Sequence, residues 1–185
     1  MGDIKDIDLE IIRNQLGREP KGVIDIPVRC DFGYPVVLTT KPILIEDENN
    51  FEIFPTLYWL SCPRRVEEIS RFESDGYIEK LEGELMSDPD LKTEYREDEA
   101  RYLKKQRDLL TKSEKEFLSA RGLDNSLKRG IGGIESDRYL KCLHLHLAHE
   151  LAERNAIGKL IKNRFGPGDC PPDDVRCEKY EISKE

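Results

Sequence analysis

The sequence predicts an α+β protein, with a small antiparallel sheet in the N-terminal third and helices through the C-terminal two thirds. Three observations carry this expectation. Before residue 60, short β-branched and aromatic runs alternate with turn residues, and after Pro63 the apolar spacing changes to three and four. In addition, 37% of the residues are charged, well above the ~25% usual for globular chains, which suits solvated helices packed on a compact core. Residues 1–165 read as a single α+β domain and 166–185 as an irregular Cys- and Pro-containing tail.

Asp6 to Arg18 has the apolar spacing of a short helix, with Gly17 near its end. Val23–Val28, Pro35–Thr39 and Ile43–Ile45 read as strands, and Glu46–Asn50 as an exposed loop tip. Thr56–Leu60 is the most apolar of these runs and is expected near the centre of the sheet. Pro63 suits a first helical position, Tyr77–Met86 gives a second helix, and Ser87-Asp88-Pro89 caps a third. The third carries Leu91, Tyr95, Tyr102, Leu109 and Phe117 on one face, in a 91–118 helix available for core packing, for a second copy of the chain or for a protein partner. A Gly-rich connection, Leu127–Ile134, leads to helices at about Asp137–Arg154 and at Ala156–Phe165.

With 30 Lys+Arg against 38 Asp+Glu, the net charge of −8 argues against a broad nucleic-acid-binding surface. No apolar run is long enough to span a membrane, and the opening Met1-Gly-Asp-Ile-Lys-Asp is charged, so a cytoplasmic protein without a membrane partner is expected. In a reducing compartment five cysteines point to metal ligation, thiol chemistry or burial rather than to disulfides.

Three constellations can carry chemistry. The segment Lys141–Glu150 contains every histidine of the chain. On a helix turning about 100° per residue, Cys142, His146 and His149 share one face, while His144 joins Leu140, Leu143, Leu147 and Leu151 on the other. With Cys30 and Cys62 added, this predicts a zinc or iron–sulfur centre of mainly structural role at Cys30, Cys62, Cys142 and His149. His144, His146, Cys170 and Cys177 are alternate ligands. The second constellation is Cys62-Pro63-Arg64-Arg65, where a helix N-terminus and two guanidiniums should lower the thiol pKa below ~8.5 and make Cys62 a candidate nucleophile. The third is Lys128-Arg129-Gly130-Ile131-Gly132-Gly133, which with Arg64 and Arg65 is a candidate site for a phosphorylated small molecule. It matches neither the P-loop nor the dinucleotide fingerprint.

Arg29–Pro35, Phe54–Pro63, Gly130–Ile134, and Lys141–His144 with Ala148-His149, in that order, resemble the bacterial family called domain of unknown function 501. The resemblance runs from about Asp8 to Phe165 and implies no particular reaction. It places Cys30, Cys62, Cys142, His144 and His149 inside family motifs, with His146 less firmly placed and Cys170 and Cys177 outside them.

Overall fold

The computed structural model describes residues 4–134 and 138–181. After helix α1 (Asp6–Leu16), strands β1 (Val23–Arg29), β2 (Pro35–Thr40) and β5 (Tyr58–Leu60) form an antiparallel sheet in the order β1-β2-β5. β2 is buried at every position and holds the centre. The run ending in Leu60, expected in the middle, lies at an edge instead. Its apolar side chains are satisfied by a helix, described below, rather than by a second strand neighbour. Strands β3 (Ile43–Ile45) and β4 (Phe51–Ile53), the latter not anticipated, make a separate hairpin. Its tip is the expected loop, in which the Asp47 carboxylate accepts from the amides of Asn49 and Asn50.

Helix α2 (Pro63–Ser74) starts at its proline, and α3 (Tyr77–Ser87) follows. The expected 91–118 helix is two helices, α4 (Pro89–Asp108) and α5 (Lys112–Ala120). Thr111 and Glu114 form a reciprocal capping box that starts α5 afresh. The apolar face of α4 is used inside the chain. Tyr95, Asp98, Tyr102 and Gln106 are buried at helical spacing. Tyr102 Oη donates to the Pro55 carbonyl (2.9 Å) and accepts from the Leu57 amide (2.6 Å), while Gln106 holds the Phe54 carbonyl (3.1 Å). Of the uses left open for this face, core packing is the one seen, and Tyr102 and Gln106 clamp the segment leading to β5.

Helix α6 (Leu143–Ala152) packs on β5 and on α7 (Ala156–Phe165). A helix beginning near Asp137 is not what forms. Asp137 lies outside the described residues, and Cys142 has extended backbone (φ −147°, ψ 152°) as the residue preceding α6. Residues 166–181 carry only one 3-10 turn, Glu178–Tyr180, and fold back on the domain. Arg65 holds the Pro167 carbonyl (2.9 Å) and the Asp169 carboxylate (2.6 Å), Tyr34 donates to Glu181 (2.6 Å), and Arg176 pairs with Glu67. Among the described residues no helix is long and apolar enough to cross a membrane.

Candidate functional site

The first turn of α6 lies against the last turn of α2, and there three ligand-type side chains converge. A ligand atom from each of Glu73, Cys142 and His144 lies within 4.8 Å of the other two. Cys142 is held just before the helix begins, and Glu73 Oε1 accepts from the Leu143 amide at 2.6 Å. That contact satisfies one of the open donors of the helix N-terminus and places negative charge where the helix dipole favours it. The carboxylate thus fixes both where α6 starts and where the thiol sits.

The surroundings of His144 decide its tautomer. Nε2 lies 3.1 Å from the Val66 carbonyl, which can only accept, so Nε2 carries a hydrogen and donates it. The Ser70 hydroxyl lies 3.2 Å from the same nitrogen. Nδ1 then faces Glu73 Oε1 at 3.1 Å. In a neutral imidazole that nitrogen is a lone pair aimed at a carboxylate. The contact is favourable only with a cation, either a proton or a metal ion, at Nδ1. Desolvation is the largest single influence on His144 and lowers its pKa, but the Cys142 thiol, the Glu73 carboxylate and the Val66 carbonyl together outweigh it and the net shift is upward. This group of side chains seeks positive charge.

Cys142 and His144 open onto a cleft of about 480 Å³, whose walls include Arg18, Trp59, Ser61, Val66 and Lys141. The lining is mainly apolar, with cationic groups at Arg18 and Lys141 and the Arg18 guanidinium 5.2 Å from the Trp59 ring centre.

The other histidines are elsewhere. His146 and His149 do share a face of α6, but it is sealed in the core with Asn155. His146 Nδ1 is 3.3 Å from Asn155 Oδ1, and His149 Nδ1 is 3.1 Å from Asn155 Nδ2. His149 stacks on Tyr58 and touches Tyr102, and His146 touches Tyr95. Burial pushes His146 down to about 4 and His149 to about 3, so both are neutral near pH 7. Cys30, Cys62, Cys142 and His149 do not come together as one ligand set; Cys142 meets Glu73 and the alternate ligand His144.

Cys62 precedes α2 as anticipated, but its thiol shifts the other way. Burial in the core raises its pKa and outweighs the Arg64 and Arg65 amides and the Arg65 charge. The cationic groups assigned to a phosphate are engaged separately: Arg64 with Glu68 (3.2 Å), Arg65 with the tail, and Lys128 with Asn125 (3.0 Å). The Gly130–Gly133 turn is a packing device. A Cβ on Gly130 would meet the Ile134 carbonyl at 2.3 Å and the Glu99 carboxylate at 2.5 Å, and one on Gly132 would meet Leu145 at 2.9 Å. A carboxylate already lies against this turn.

Glu73 was not among the residues singled out from the sequence. Its signal is positional. Val66 and buried Ile69 define the inward stripe of α2, and position 73, four residues further, continues it. A carboxylate on an inward helical stripe needs a partner, and here its partners are the Leu143 amide and His144.

Neither curated proteins nor solved structures give a match to this chain. A family model matches residues 26–163, a stretch that contains Glu73, Cys142 and His144 and stops short of Cys170 and Cys177, and the chain belongs to the family described as protein of unknown function (DUF501).

Proposed function

We propose that this protein binds a transition metal, zinc by preference, through Glu73, Cys142 and His144, with a further coordination position turned toward the adjoining cleft. The observation that carries this reading is the convergence of a carboxylate and a thiol on a histidine nitrogen left without a hydrogen by its own tautomer. Thiolate, imidazole and carboxylate together suit zinc, and one thiol is too few for an iron–sulfur cluster. The Val66 carbonyl takes the role of the outer partner that fixes a ligating imidazole by accepting from its other nitrogen. Three protein ligands beside a cleft match sites that leave one position to water or substrate, whereas purely structural zinc is enclosed by four. A metal there would act as a Lewis acid on a small molecule whose apolar body lies along Trp59 and whose anionic group meets Arg18 or Lys141.

Element analysis of protein purified anaerobically without a polyhistidine tag tests this. At least one equivalent of transition metal per chain is expected, and less than about 0.1 equivalent contradicts it. A second reading, in which a proton takes the place of the metal and Cys142 is a nucleophile paired with His144, draws on the upward shift of His144. Metal-free protein whose Cys142 is alkylated by iodoacetamide at pH 6.5 well ahead of its other thiols would favour that reading.

A further inference from the structure

The four cysteines not used at this site lie around the place where the C-terminal segment folds back on the sheet. Cys177 is buried in a small cluster with Ile11 and Tyr34, and Cys30 packs against that cluster and against the main core that contains Cys62. Asp169 accepts from Arg65 Nη2 (2.6 Å) and from the Asp31 amide (3.0 Å). The next residue, Cys170, is thereby pinned between the neighbour of Cys30 and the first turn of the helix that Cys62 precedes. These thiols come from three segments, with Cys30 and Cys177 lying 147 positions apart, and nothing in local sequence requires them to lie in one region.

We propose that Cys30, Cys62, Cys170 and Cys177 form a second, closed metal site of the tetrathiolate class that clips residues 166–181 to the sheet. The surroundings suit concentrated thiolate charge. The amides of Arg64 and Arg65 point at the Cys62 sulfur, and Gln15 Nε2 donates to the Cys177 sulfur at 3.3 Å. The guanidiniums of Arg29, Arg65 and Arg176 act electrostatically on Cys30, Cys62 and Cys170 respectively. Cys30, Cys62 and Cys170 all lie near enough to Cys177 to act on it electrostatically. Among the described residues no three of these sulfurs lie within 4.8 Å of one another. Tetrahedral zinc, at ~2.3 Å per bond, sets its sulfurs about 3.8 Å apart. Ligation therefore draws the half-buried Cys30 and Cys170 inward, and docking of the tail becomes metal-dependent.

The test uses the full chain, with cobalt(II) as a spectroscopic probe and zinc for stoichiometry. Wild-type protein loaded with cobalt should show the intense near-ultraviolet charge-transfer absorption of several thiolates, and this should persist in Cys142→Ser. The double variant Cys170→Ser/Cys177→Ser should bind one equivalent of zinc less than wild type, and its tail should be cut by protease as readily as that of wild type treated with a chelator. Cys142→Ser should lose its own equivalent while keeping the tail protected, so failure of either site is seen separately. Equal zinc content in wild type and the double variant would overturn the proposal. So would cobalt absorption of only one-thiolate intensity in wild type, a measurement that needs no variant to fold. Disulfide pairing among the four cysteines in anaerobically purified protein would overturn it as well.

Discussion

Two sides of helix α6 carry the same residue type and do opposite things with it. At its first turn His144 is partly exposed and surrounded by a carboxylate, a thiol and a carbonyl, all of which favour positive charge on the ring. Two and five residues later His146 and His149, turned to the other side of the helix, are sealed among Tyr58, Tyr95, Tyr102 and Asn155, where burial keeps the rings neutral. The comparison teaches that the local dielectric and the nearest acceptors assign the role of an imidazole. Being adjacent in sequence does not.

The largest way to break the contrast is acid. A buried histidine whose folded pKa lies below its unfolded value of about 6.5 contributes stability in full above that value and loses it as pH falls through the folded pKa. For His146, at about 4 when folded, the loss between pH 6.5 and 4 is on the order of 3 kcal/mol, with His149 continuing toward pH 3. Urea denaturation across this range should show falling stability, and His146→Leu should flatten it. His144 has the opposite sign in metal-free protein: its contribution is present below the unfolded pKa and is lost as pH rises through the raised folded value. With metal bound, acid instead releases the ion, since proton and metal compete for Nδ1.

Next in size is Asn155→Ala. Asn155 caps α7 through Gly158 (2.8 Å) and partners both buried histidines, so its loss should cost about 3 kcal/mol in urea denaturation while leaving metal content unchanged. Glu73→Gln should do the reverse. The amide oxygen can still accept from Leu143, so folding should be little changed. Zinc affinity, measured by competition with a chromophoric chelator, should fall by about 100-fold or more, at or beyond the upper end for outer-shell partners. The smallest effect is expected of Ser70→Ala, which removes only an outer contact to His144 Nε2 and should weaken zinc binding by about tenfold or less.

Elements with local signals are legible in the sequence. Ile43–Ile45 and Ala156–Phe165 fall where the pattern puts them, Pro63 opens its helix, and Asp88 caps α4 by accepting from the amides of Asp90 and Leu91. The start of α6 is not legible, because it is set from outside. Glu82 of α3 takes the Leu140 amide (2.8 Å) and Glu73 of α2 takes that of Leu143, so the chain stays extended through Cys142 where periodicity alone continues the helix backward. That shift dissolves the face shared by Cys142, His146 and His149 and brings His144 to the thiol. Glu73 is equally hidden as one of 38 acidic residues, distinguished only by its inward position. Gly158 is a similar case: a Cβ there would sit 2.2 Å from the His146 carbonyl oxygen, a close approach of α6 and α7 that no local pattern announces.

The most direct measurement is the difference in metal-to-protein ratio between wild type and Cys142→Ser, both purified anaerobically without a tag. A difference of one equivalent, with the tail docked in both proteins, is the predicted result. Equal ratios would contradict a metal held by Glu73, Cys142 and His144.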